Sequence, residues 1–204
     1  MFMKIIKQEN LDISEIVEAL KNGATIVYPT ETCYGLGCDA SNKEAVDKIF
    51  AIKKRQAHKS VLVVVPEVSM IIPFISWTPT LQNIADKYWP GALTVVVKVK
   101  DKNVFPPGVV NEDGTMAFRV TDHPLASKIS KKLNSPLVST SANIASLESP
   151  YDIEAVLHMF EYEDIQPDII IDGGNLQHRS PSTIVKVVGE NVEVLRQGEV
   201  VLEL

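Results

Sequence analysis

Apolar positions along the chain recur at helical spacing in some stretches and in short continuous runs in others, with capping residues, glycine and proline between them. Ile16, Val17 and Leu20 define the apolar side of a first helix, with Asp12 or Ser14 as its cap and Gly23 placed to stop it. Residues 24–28 read as a buried strand closed by Pro29, and residues 30–37, rich in hydroxyls and glycine, as a loop leaving the strand's end. Ser41 and Glu44 have the spacing of a capping box, and Ala45, Ile49, Phe50 and Ile52 supply the apolar face of a helix running to about Lys54. Lys53 and Arg55 are thereby expected at a helix C-terminus.

The β-branched run 61–65, ended by Pro66, is too short to cross a membrane and has the character of a strand covered on both faces. Downstream the pattern predicts a helix over 80–88, a turn at Trp89-Pro90-Gly91, a strand over 93–99 and a long loop over 100–114. A strand over 116–120, a helix over 124–133, a strand over 137–139 and a polar loop over 141–151 follow. Asp152 caps a helix to about residue 160, and 169–171 is a strand entering Asp172-Gly173-Gly174. Residues 183–188 and 192–195 form a hairpin around Gly189-Glu190-Asn191, with 200–204 as one further edge strand. No repeat or linker interrupts this order, so the expectation is an α/β fold in a single domain over residues 1–204, with a twisted mixed sheet and flanking helices.

Composition narrows the class. The 204 residues are 45% hydrophobic and 23% charged, proportions of a folded globular chain. The two cysteines, Cys33 and Cys38, supply neither a disulfide framework nor a four-ligand zinc pattern. The opening Met-Phe-Met-Lys runs into polar residues without a secretory apolar region, and no run of about 20 apolar residues exists, so a cytoplasmic protein away from membranes is expected. A formal net charge of -6 has the wrong sign for coating nucleic acid by counterion release. Any anion site must therefore be local, and Lys48, Lys53, Lys54, Arg55, His58 and Lys59 form the one basic concentration that could meet a polyanion; a solvated helix end is the plainer account.

Familiar catalytic signatures are missing: there is no Walker A loop, no G-x-G-x-x-G after a strand, no H-E-x-x-H and no G-x-S-x-G elbow, and the four histidines lack metal spacing. Other groupings carry chemistry. Lys53 and Arg55 combine a point charge with a planar fork, suited to a triphosphate or carboxylate, although the helix dipole alone also favours cations there. Ser139-Thr140-Ser141-Ala142-Asn143 gathers three hydroxyls and an amide that could serve phosphate oxygens or simply satisfy a turn. Thr30 and Thr32 flank Glu31 in a glycine-bearing loop that permits close approach of a small polar substrate, or again a plain turn. Arg119 and Arg196, near strand ends, can each meet an anion or make a surface ion pair.

Taken in order, Y-P-T-E-T-x-Y-G-L, K-x-R at Lys53/Arg55, W-P-G-A-L-T at Trp89, F-R-V-T-D-H-P-L-A at Phe118, S-T-S-A-N at Ser139, P-S-T-I-V at Pro181 and L-R-Q-G at Leu195 resemble the YrdC family. The resemblance runs from about Gly23 to Gly198, and the K-x-R and S-x-N pair is the mark of its threonylcarbamoyl-adenylate synthase members. It implies a twisted α/β fold with a large open cleft, in the family's short form without an additional C-terminal domain. It also implies an enzyme joining L-threonine, bicarbonate and ATP into threonylcarbamoyl-adenylate and pyrophosphate, with Mg2+ arriving on ATP and no tightly bound metal or organic cofactor. The product feeds N6-threonylcarbamoyladenosine formation at position 37 of tRNA, through partner proteins that transfer the group.

Carried over residue by residue, Lys53, Arg55, Ser141 and Asn143 fall on the catalytic tetrad that binds the ATP phosphates. Lys59, Thr115, Ser149 and Arg196 fall on further nucleotide contacts, and Thr32, Arg119, Ser139 and Ser182 on the threonine side. Gln56 and Gln197 stand where proline is common in the family, and Val64 where some members place a histidine near threonine. Two rival functions follow from the same features: a module binding double-stranded RNA or tRNA through the basic cluster, and a carbamoyl-handling enzyme like the hydrogenase-maturation proteins that carry this domain in larger chains.

Overall fold

The structure, a computed structural model, describes residues 3–55 and 60–203. Its first strand, β1 (Lys4–Lys7), is only four residues long and mostly exposed, with two isoleucines between lysines, so no apolar period announces it; it is held as an edge by parallel pairing to β9 (Ile169–Asp172). Asp12, not Ser14, caps α1 (Ile13–Lys21): its carboxylate accepts the Ser14 N–H at 2.7 Å, and the helix buries Ile16, Val17 and Leu20. Gly23, at φ +85°, turns the chain into β2 (Ile26–Pro29), which is buried throughout.

Two expectations for the next stretch are corrected. The predicted loop over 30–37 contains a strand, β3 (Tyr34–Gly37), which pairs antiparallel with β2. Its glycines are needed there for space: a Cβ on Gly37 would lie 2.3 Å from the Val138 carbonyl oxygen. The cap of α2 (Lys43–Ile52) is Asn42, whose side chain accepts the Ala45 N–H at 2.9 Å. Ser41 instead donates its N–H and hydroxyl to Asp39, at 2.9 and 2.8 Å, so the capping-box spacing lies one residue out of register with the helix.

The remaining elements follow the predicted order, except that the expected strand over 137–139 and the start of the expected loop at 141 form two short strands, 137–138 and 140–141. They are β4 (Leu62–Val65), α3 (Pro79–Tyr88), β5 (Leu93–Lys98), β6 (Thr115–Val120), α4 (Pro124–Leu133), β7 (Leu137–Val138), β8 (Thr140–Ser141), α5 (Ile153–Phe160), β10 (Thr183–Val188) and β11 (Asn191–Arg196). Residues 200–203 are not a strand; the Val200 N–H and carbonyl are both taken by the Thr183 hydroxyl, leaving no ladder to form.

The α/β architecture is as expected, but the strands divide into two mixed sheets, of order β1-β9-β2-β3-β8 and β11-β10-β5-β6-β4-β7. The chain crosses between them at Ser139: β7 pairs with β4 in the larger sheet, and β8 pairs with β3 in the smaller. One apolar cluster joins α1 and α4 to Val64, Leu137 and Ile169, and a larger one joins α2, α3 and α5 to both sheets. The long segment 100–114 is partly core: Phe105, Val109 and Val110 are buried, and the Gly108 carbonyl accepts the Val61 N–H at 2.8 Å. Among the described residues no helix is long and apolar enough to cross a membrane.

Candidate active site

Residues of both sheets face a cavity of about 830 Å³ that receives side chains from almost every segment singled out in the sequence. Its walls include Thr32, Arg119, Ser139 and Ser182, and also Arg55, Thr115, Ser141, Ser149 and Arg196. Lys53 and Asn143 line an adjoining cavity of about 410 Å³, which shares Arg55 and Ser141 with the first. A groove of about 950 Å³ beside Ser41, Lys43 and the 102–113 segment is larger, yet it gathers none of these residues. Lys59, Gln56 and His58 lie outside the described residues.

Several cleft hydroxyls are held by backbone or side-chain partners. Thr30 closes the turn between β2 and β3: its hydroxyl donates to the Cys33 carbonyl at 2.6 Å and accepts the Thr32 and Cys33 N–H groups. The turn and the cavity wall are therefore one structure, with Thr30 satisfying the backbone and both Thr30 and Thr32 lining the cavity. Ser139, at the crossing between sheets, donates its N–H to the Leu62 carbonyl and accepts the Tyr28 hydroxyl at 2.8 Å. Ser182 accepts from Thr94, at 3.0 Å between the hydroxyl oxygens. Thr115 donates to Asp113 at 2.6 Å and accepts from Asn111 at 2.9 Å.

Arg119 makes no surface ion pair. Its guanidinium lies 2.7 Å from the Glu31 carboxylate, with the two side chains only 4% and 7% exposed. Glu31 also accepts from Thr121, at 3.3 Å, and Arg119 Nε has no hydrogen-bond partner among the described residues. Arg119 thus reaches the cavity already paired from behind. Arg196 donates to the Ser182 carbonyl at 3.2 Å through Nε and 2.7 Å through a terminal nitrogen, which fixes the arginine beside the Ser182 hydroxyl.

The K-x-R element ends α2. Lys53 is buried and donates to the Ser141 carbonyl at 2.5 Å, the Asn143 carbonyl at 2.8 Å and the Asn143 side-chain oxygen at 3.2 Å. Burial, reinforced by the neighbouring Arg55 charge, pulls its pKa down from the usual lysine range to about 8. Arg55 donates to the Ser60 carbonyl at 3.0 Å. Within the basic cluster, Lys48 pairs with Asp168 at 2.5 Å and Lys54 with Glu163 at 2.6 Å.

Residues 18–198 match the sequence profile of the family described as "Telomere recombination", the Sua5, YciO and YrdC proteins. The chain belongs to the Sua5/YciO/YrdC family. Within that family it is 31% identical to a threonylcarbamoyl-AMP synthase of Aliivibrio fischeri, over 92% of this chain and 99% of the relative. A P. abyssi Sua5 variant superimposes with a TM-score of 0.87 at 29% identity, over 99% of this chain. P. abyssi Sua5 complexed with L-threonine gives 0.82 at 28% identity, over 97% of this chain. This chain spans about 62% and 58% of those two longer chains.

The family departures noted in the sequence have plain locations. Val64 is a core residue of β4, 1% exposed, and Gln197 donates to the Gly198 and Val200 carbonyls at 3.1 and 2.8 Å. Three features escaped the sequence reading. Glu31 was visible within Y-P-T-E-T, but nothing in one sequence pairs it with Arg119. Tyr28 and Thr94 look like ordinary strand residues, yet they aim two of the cleft hydroxyls. Tyr151 and His178 stack with ring centroids 3.8 Å apart, and Tyr151 with Arg179 lines the cleft; no local pattern links them.

Proposed function

We propose that the chain is an L-threonylcarbamoyladenylate synthase, a nucleotidyltransferase acting in the cytoplasm as one YrdC-like catalytic domain over residues 1–204. The observation that carries this reading is the convergence, in one cavity, of Arg55 and Ser141 with Thr32, Arg119, Ser139 and Ser182, within a family whose relative is a threonylcarbamoyl-AMP synthase across nearly its whole length. Threonine's amine attacks the bicarbonate-derived carbon, giving a carbamate and water; a carbamate oxygen attacks the α-phosphorus of ATP, and pyrophosphate leaves. Negative charge builds at phosphorus and on the leaving group, so positioned cations and donors supply the catalysis.

In this reading Lys53, Arg55, Ser141 and Asn143 form the triphosphate end, with Lys59, Thr115, Ser149 and Arg196 as further nucleotide contacts. Arg119 forks onto threonine's carboxylate, flanked by Thr32, Ser139 and Ser182. Mg2+ would arrive with ATP, held by its phosphates and by water, as magnesium usually keeps waters and leans on substrate phosphates. The product then passes to the tRNA-modification proteins that transfer the threonylcarbamoyl group.

Purified protein is expected to release pyrophosphate from ATP only when threonine and bicarbonate are both present. Release that ignores threonine, or none at all, sinks the assignment. ATP affinity should also depend on pH. With Lys53 near a pKa of 8 in the free protein, its protonated form is the one that can donate to all three oxygens of the Ser141–Asn143 loop and add positive charge to the triphosphate end, so ATP binds that form. Above pH 8 binding takes up a proton and weakens, by up to about tenfold per pH unit. Calorimetric titrations in two buffers of different ionisation enthalpy at about pH 8.5 check this; a proton uptake of zero would mean that the Lys53 charge takes no part in ATP binding, directly or through the loop.

A further inference from the structure

We propose that Lys53 acts chiefly as a positioning residue that staples the S-x-N loop to the end of α2, while Arg55 is the cation of the K-x-R element that meets the triphosphate. This rests on the reading above only for its kinetic consequence. An ammonium has three N–H donors, and Lys53 faces three oxygens of the loop: the Ser141 carbonyl at 2.5 Å, the Asn143 carbonyl at 2.8 Å and the Asn143 side-chain oxygen at 3.2 Å. Its donors are therefore spent within the protein. The side chain is buried, and among the described residues it makes no ion pair with a carboxylate, so loop dipoles are its counter-charge.

The contact is mutual. The Lys53 carbonyl accepts the Ala145 N–H at 2.8 Å, so one residue binds the loop through both main chain and side chain. Asn143 completes the knot: its side-chain oxygen also accepts the Ser141 hydroxyl at 2.5 Å, and its amide nitrogen donates to the Leu147 carbonyl at 2.5 Å. Drawing the Ser141 and Asn143 carbonyls onto Lys53 keeps two negative dipole ends directed at the ammonium rather than at an incoming polyanion. An arginine at this position would present a flat fork that cannot converge on three oxygens set around a point. The spacing K-x-R then has a physical sense: the first residue organises the distant loop, and the second, two positions on, reaches the cleft.

Hydrogen–deuterium exchange of the full chain, without ATP or threonine, tests this directly on peptides covering 139–147. Lys53→Met and Lys53→Arg are each expected to raise exchange there at least tenfold, with Arg55→Met at the wild-type rate. Wild-type protection in both Lys53 variants overturns the staple. Should Lys53→Met fail to fold, Lys53→Arg carries the test, and its kinetics give a second readout: KM for ATP raised at least tenfold, with KM for threonine within about threefold. Lys53→Arg turnover and ATP KM near wild type would show that charge alone suffices and would overturn the proposal. Because exchange is read without substrates, an altered loop in a protein that releases no pyrophosphate rejects the assigned reaction and leaves the staple standing.

Discussion

Replacing Arg55 by alanine is expected to lower kcat/KM for ATP by about a hundredfold to a thousandfold, the loss typical when one preorganised donor to a developing charge is removed. Arg55 is shared by the main cavity and the smaller one beside it, and its guanidinium is anchored by donation to the Ser60 carbonyl at 3.0 Å. Burial lowers its pKa, but arginine remains protonated throughout the working range, so the charge is present at every accessible pH. In the proposed reaction, its removal takes a fixed positive group from the point where the pyrophosphate leaving group would gather charge. The side chain is not part of the apolar core, so the urea midpoint should stay close to wild type. Steady-state pyrophosphate release at saturating threonine and bicarbonate is the measurement. A variant within about threefold of wild type removes Arg55 from the proposed machinery.

The second large effect is on stability as well as activity. Arg119→Met strands the Glu31 carboxylate, which is 7% exposed and has no other cation within ion-pair distance among the described residues. Breaking a buried pair from one side costs about 3–5 kcal/mol, because the remaining charge keeps its desolvation penalty without its partner. Urea unfolding should show a loss of that size. The double variant Glu31→Gln with Arg119→Met removes the stranded charge and should recover a large part of it, giving a coupling energy well above additivity. Threonine-dependent pyrophosphate release should be lost in both variants, since neither retains the guanidinium proposed to hold the substrate carboxylate. A single variant as stable as wild type would mean that the pair is solvated in solution, and the assignment of Arg119 as a rigid, pre-paired anchor would fall.

Much of the site was legible because its chemistry is written in short segments. Lys53 and Arg55 could be placed at a helix end from the spacing of Ala45, Ile49, Phe50 and Ile52, and that is where α2 leaves them. Thr32 and Ser139 stood beside strands whose apolar runs were clear, and both line the cleft. Less legible were elements whose local signal is weak or shared. β1 is too short and too exposed for its two isoleucines to form a period, and β3 carries glycines that read as loop but serve a close approach to Val138. Asn42 displaced Ser41 as a cap because Asp39 had already engaged the serine.

What the sequence by itself determined is the helices and most of the strands, the kinds of polar group at their ends, and the ordered motifs that placed the chain in its family. These follow from periodicity, capping and side-chain type, all of which act within a few residues. The tertiary structure alone decided which of those groups meet. Two sheets joined at Ser139 bring Glu31 against Arg119 and Lys53 against Asn143, partners 88 and 90 residues apart in sequence that no local rule couples. It also decided their roles: burial turned a surface-pair expectation for Arg119 into a desolvated ion pair, and turned one of two similar cations in K-x-R inward to loop carbonyls. Desolvation and convergence depend on the whole packed chain, and so they appear only once it is folded.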